Sequence, residues 1–166
     1  FRDNMAKNQG WKVSWGDVRA GGILELSALP EQTSASTILD GSRLWKNYSM
    51  SSTVFWEEGA IFLLGNALDS RNYRSCVFGE DQVSIQDTVD QEAEILKKIE
   101  REGIKPGTNI RLGMQITDSG ISCFYNGTNV LSASIASRVG GVGIQTWNET
   151  PNTAHAIVYS TSVTPN

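Results

Sequence analysis

The chain has 166 residues, enough for one domain with one continuous core. Its formal net charge is −4, and beyond Lys97-Lys98 it holds no Lys/Arg cluster, which argues against nucleic acid and anionic membrane surfaces as partners. No apolar run approaches the roughly 20 residues that span a bilayer, so membrane insertion is not expected. The chain starts at Phe1 without a signal sequence or basic n-region, and it reads as a piece of a longer protein or a mature form.

Period-two alternation of apolar and polar residues runs through the chain and predicts strands. In the first half these are Trp11–Trp15, Ile23–Ala28, Ser36–Leu39, Tyr48–Trp56, Ala60–Leu64, Tyr73–Phe78 and Val83–Asp87. The stretch Gln91–Glu102 breaks the pattern. Ile95, Leu96 and Ile99 recur there at helical spacing among charges, and Gly103 stands where a C-cap would, so a short inserted helix is predicted. Alternation returns at Asn109–Thr117, where Ile110, Leu112, Met114 and Ile116 share one face. Asp118-Ser119-Gly120 is a hairpin turn leading to Ile121–Asn126, and Asn126-Gly127-Thr128-Asn129 a second one leading to Val130–Ile135. Val142–Trp147 and Ala154–Val163 complete the set. The fold class is therefore an all-β, two-sheet antiparallel sandwich over residues 1–166, with one short helix near 91–102. Cys76 and Cys123 lie on predicted strands far apart in sequence. Their spacing leaves open a disulfide or two small buried thiols, because bridging depends on Cβ geometry.

The order of features carries a resemblance. Trp11-Lys-Val precedes Gly21-Gly-Ile-Leu-Glu-Leu, then Asn47-Tyr-Ser-Met-Ser-Ser-Thr-Val, then Asp69-Ser-Arg-Asn-Tyr-Arg. Lys105-Pro-Gly-Thr-Asn-Ile-Arg-Leu, Ile121-Ser-Cys-Phe-Tyr-Asn-Gly and Gly140-Gly-Val-Gly-Ile-Gln-Thr follow. This sequence resembles the concanavalin-like, laminin-G-like jelly rolls appended to bacterial glycan-active enzymes, such as the levanase-type carbohydrate-binding module. It departs from them at the Gln91–Glu102 stretch. The resemblance implies a non-catalytic, extracellular or cell-surface domain that recognises a polysaccharide or oligosaccharide and accompanies a catalytic domain in its parent. Two alternatives stand beside that reading: a protein-binding adhesion module, and an accessory domain that orients its neighbour.

The chemistry of the side chains is consistent with the absence of catalysis. Retaining glycosidases need two carboxylates about 5 Å apart. No strand here carries acids at suitable alternating positions: Glu25 is isolated, Glu57-Glu58 point to opposite faces if extended, and Glu80-Asp81 and Glu149 lie in turns and loops. His155 is the single histidine, and no Gly-x-Ser-x-Gly elbow accompanies it. Cofactors are not expected. A structural calcium is left open, with Asp17, Asp40 and the Asp87–Asp90 stretch as oxygen donors.

Aromatic residues are the stronger signal, because a flat ring takes the apolar face of a pyranose while nearby amides or Arg bind its hydroxyls. Trp11 and Trp15 are expected in the core or the closing strand. Trp147 leads the ligand candidates, being out of phase with Val142 and Ile144, with Gln145 on its own face and Asn148 following. Arg71, Tyr73 and Arg74 form a second candidate cluster, and Trp45 and Trp56 are further candidates.

Overall fold

A computed structural model of the chain describes residues 2–3, 10–20, 23–101 and 107–166. Gly21-Gly22, Glu102, the predicted cap Gly103 and Lys105-Pro106 lie outside the described residues. In chain order the strands are β1 (Arg2–Asp3), β2 (Trp11–Trp15), β3 (Asp17–Ala20), β4 (Leu24–Ser27), β5 (Ser34–Leu39), β6 (Tyr48–Trp56), β7 (Ala60–Ala67) and β8 (Tyr73–Phe78). Then come β9 (Gln82–Val89), β10 (Glu92–Glu100), β11 (Ile110–Thr117), β12 (Gly120–Tyr125), β13 (Thr128–Ser134), β14 (Gly141–Trp147) and β15 (His155–Pro165). They make two antiparallel sheets. The eight-stranded sheet runs β13-β12-β11-β6-β15-β4-β3, with β1 pairing to β15, and the seven-stranded sheet runs β10-β9-β8-β7-β14-β5-β2. The inward faces meet in one core around Trp56, Tyr48, Phe78, Met50, Leu63 and Ile85, all essentially without solvent exposure. The sandwich is thus the predicted one.

The predicted helix is not formed; Gln91–Glu102 is largely the edge strand β10, hairpinned to β9. Asp90 and Gln91 both hold positive φ (51° and 74°), the backbone of a two-residue type I′ turn, which matches strand twist. A bulge between Ile95 and Lys97 explains the misleading spacing. One extra residue turns the strand period of two into three, so Leu96 and Ile99 both pack against the core. Lys97 points the same way, and its Nζ donates to the Ser132 carbonyl of β13 at 2.7 Å, joining the edges of the two sheets.

Two further ties, one covalent and one polar, join the sheets through the core. Cys76 of β8 and Cys123 of β12 are disulfide-bonded with Cα atoms 5.7 Å apart. That is well inside the spacing of about 10 Å for facing sheets, so the sheets are drawn together there. Tyr48 of β6 crosses the core to the other sheet. Its hydroxyl accepts from the Asn66 amide at 2.8 Å and donates to the Gly141 carbonyl at 3.1 Å, where β7 and β14 shift register. Burial pushes the phenol from 10.0 up to about 12, partly offset by the Asn66 amide.

Two stability outcomes follow. Reducing the disulfide, or replacing both cysteines with Ser, removes a cross-link spanning a sequence separation of 47. By the chain-entropy relation this costs about 4 kcal/mol, read as a lower urea midpoint in the presence of reductant. Tyr48→Phe strands the Asn66 amide and costs about 1–3 kcal/mol. The Tyr48 contribution is complete below pH 10.0 and falls as pH rises toward about 12, because the unfolded chain releases the phenol proton first. The loss of about 2–3 kcal/mol over that range should be absent from Tyr48→Phe in alkaline denaturation curves.

Candidate functional site

Strand register lays out the outer face of the seven-stranded sheet row by row. One row is Trp15, Ser36, Gln145, Phe62, Val77, Ser84 and Lys98. The next contains Ser34, Trp147 and Ala60 and continues toward the Gln82–Glu100 pair. On the other side Ile38, Gly143, Leu64, Ser75 and Gln86 are aligned. Ile38, Leu64 and Tyr73 are buried on this face with Phe62 packed against them, so the face has an apolar floor of its own.

A groove of about 820 Å³ follows the Trp147 row across the strands. It is lined by half-buried Trp147, buried Ala60 and Gly79 and exposed Gln82, and its rim carries Glu58, Glu80, Asp81, Glu100 and Glu149, with no Lys or Arg among the lining residues. Two of the rim's loops pack against each other. Asn148 is fixed by its amide donating to the Thr33 carbonyl at 2.9 Å, and its Nδ2 donates to Glu58 Oε2 at 3.1 Å. Gly59 lets the turn after β6 lie against the Trp147 backbone: its φ is +76°, and a Cβ would stand 2.1 Å from the Trp147 carbonyl oxygen.

The structure brings Trp147, Gln145 and Asn148 together and separates the other candidates. Trp56 is fully buried between the sheets, so its ring has no surface to offer a ligand; it ends β6 in phase with Val54 and Met50. Trp45 is half-buried beside a separate apolar pocket of about 270 Å³, edge-on to Tyr48 at 6.2 Å between centroids. Arg71 is exposed in a turn whose Asp69 carboxylate accepts its amide at 2.8 Å. Tyr73 belongs to the apolar floor, and its neighbour Arg74 points to the opposite side. There Arg74 is buried, bonded to Asp87 at 3.2 Å and to the Ala136 carbonyl at 2.7 Å. Adjacent residues on a strand face opposite ways, which is why that cluster does not converge.

One residue of this face was not expected on it. Trp15 is 51 % exposed and stands opposite Ser36, whereas Trp11 is buried in the core. A bulge between Val13 and Trp15 changes the parity of β2, and nothing in the sequence marks it. Trp15 and Trp147 are two strands and two residues apart, about 12 Å by strand geometry.

The remaining polar candidates are engaged elsewhere. His155 Nε2 lies 3.1 Å from Glu25 and its Nδ1 3.9 Å from Glu57, both carboxylates. Asp17 pairs with Arg19, Asp40 with Lys12, Asp87 with Arg74 and Arg138, and Asp90 with Arg71. Among the described residues no three His, Cys, Asp or Glu side chains converge as a metal cluster would.

This architecture is a concanavalin-like jelly roll. No family model matches the chain, and no curated protein matches it in sequence. Solved structures do match its fold. Carbohydrate-binding module CBM66 from Bacillus subtilis aligns over 93 % of this chain and 95 % of its own, with a TM-score of 0.77 and 14 % identity. The exoplasmic/lumenal domain of VIP36, in a Ca2+/Man-bound form, aligns over 95 % and 83 %, with a TM-score of 0.68 and 10 % identity. A prokaryotic β-1,3-1,4-glucanase (lichenase) from a mouse hindgut metagenome aligns over 100 % and 99 %, with a TM-score of 0.70 and 12 % identity. At such identities the likeness is one of fold.

The packing of the turn on Trp147 is testable. Gly59→Ala should destabilise the domain by about 1–3 kcal/mol, through positive-φ strain and collision with the Trp147 carbonyl. Gly41 has φ +77° but nothing within 4 Å of the point where a Cβ would stand, so Gly41→Ala should lose only the conformational part. Thermal unfolding of the two variants, side by side, reads the difference.

Proposed function

We propose that this domain is a non-catalytic carbohydrate-binding module whose ligand lies in the Trp147 groove. The observation that carries the reading is half-buried Trp147 lining a groove with Asn148, on an apolar-floored sheet face that also carries Gln145 two residues back on the same strand and exposed Trp15. Rings fixed on strands bury the CH face of a sugar with little loss of side-chain freedom, and amides bind its hydroxyls. The fold is shared with a carbohydrate-binding module and with a domain in a Man-bound form, which supports the same class of ligand.

The fold is also shared with a glucanase. Against turnover stands the chemistry of the strands. The outward positions of β5, β14, β7, β8 and β9 include Ser36, Gln145, Phe62, Val77 and Ser84 and hold no carboxylate. The acids of the groove sit on its rim loops and on edge strand β10. Glycosidases need two carboxylates held across the scissile bond at a set separation, which rigid neighbouring strands supply better than separate loops. A disulfide between the sheets supports an oxidising, extracellular setting, and in our reading the module accompanies a polysaccharide-processing catalytic domain.

Affinity-gel or glycan-array binding tests the proposal. Trp147→Ala should weaken retention on the recognised glycan about tenfold or more while the thermal transition stays in place. Unchanged retention would move the site to another face, and product release from a polysaccharide panel would replace the binding reading with a hydrolytic one.

A further inference from the structure

The outer face of the eight-stranded sheet differs in kind from the Trp147 face. Register aligns Ser132, Ser122, Gln115, Ser49 and Thr164 in one row and Phe124, Gly113, Ser51 and Ser162 in the next. A groove of about 400 Å³ opens here, and Arg111 is the one charged residue among its lining. Arg111 is exposed and held in place: its Nε donates to Ser51 Oγ at 2.9 Å, and its amide to Asn126 Oδ1 at 3.1 Å. Its two terminal guanidinium nitrogens have no hydrogen-bond or ion-pair partner among the described residues. Half-buried Phe124 stands beside Gly113, where a Cβ would come within 3.2 Å of the Phe124 Cβ, so glycine leaves the flank of the ring open.

We propose that this groove is a second ligand site, for a carboxylate-bearing sugar residue such as a uronate. The free end of a guanidinium matches a carboxylate with two parallel, charge-assisted bonds, and Ser51 fixes the direction in which that end points. The Phe124 ring supplies the apolar surface for the sugar's CH face; Gln115 supplies a polar partner for hydroxyls, and Ser49, whose Oγ donates to Asn166 Oδ1 at 2.7 Å, supplies an acceptor. The charge contrast with the other face separates the two sites. Five carboxylates rim the Trp147 groove and repel a uronate, whereas no carboxylate lines the Arg111 groove. The inference therefore stands whether or not the Trp147 groove binds a glycan.

The test is an NMR titration of the domain with oligogalacturonate, using its methyl ester as the uncharged control. Shifts should gather at the amides of Gly113, Phe124 and Gly127, and the ester should not produce them. Arg111→Gln and Phe124→Ala should each weaken binding about tenfold or more, with Arg111→Lys intermediate because it keeps the charge and loses the fork. Trp147→Ala should change it by less than about twofold, as expected of independent sites. The proposal is overturned if the ester binds as well as the acid or if both Arg111→Gln and Phe124→Ala leave affinity unchanged. It is equally overturned if the shifts gather around Trp147, or if millimolar oligogalacturonate produces none.

Discussion

Successive side chains of a strand point to opposite sides, and in this molecule one side of every central strand is committed to a shared core. Everything else is built on that constraint. It fixes Trp56, Tyr48, Phe78 and Ile85 inward, and by the same step it fixes Trp147, Gln145 and Phe62 outward. Function is then confined to the two outer faces and to the loops at their ends. Each bulge is a place where parity changes, and those places matter most: Trp15 on the outer face and Leu96 against the core both follow from one extra residue.

The two outer faces carry different chemistry because they are independent of each other once the core is satisfied. One has an apolar floor, tryptophan and an acidic rim. The other is lined with hydroxyls and amides around one phenylalanine and one guanidinium. In a chain of net charge −4, a groove with a cation and no acid among its lining is a local reversal of the global field.

Rigidity links the core to these faces. The Cys76–Cys123 bridge and the Tyr48 hydroxyl both join one sheet to the other, and the Lys97–Ser132 bond closes the edge between β10 and β13. Side chains standing on sheets held in this way would lose little further freedom on meeting a ligand, which favours binding in a shallow groove of the kind proposed above. The same economy appears at Gly59, where a turn without a Cβ lets the Glu58 loop pack directly on the backbone that carries Trp147.

The sequence alone determined the class of fold, since alternation and turn residues are local properties: Asn109–Thr117 and its two hairpins are legible residue by residue. It also put Trp147 and Gln145 on the side of their strand away from Val142 and Ile144, because a phase argument needs only the residues of one strand. Tertiary structure decided what depends on partners distant in the chain. The Cys76–Cys123 bridge needed the two sheets to meet, and the burial of Trp56 and Arg74 needed to know what lies above their strands. The strand over Glu92–Glu100 needed the turn at Asp90-Gln91 and a bulge whose spacing imitates a helix. The acidic rim of the groove, drawn from the separated loops of Glu58, Glu80 and Glu149, exists only after folding. Periodicity reports one strand's own faces; what a face meets is set by chain segments tens of residues away.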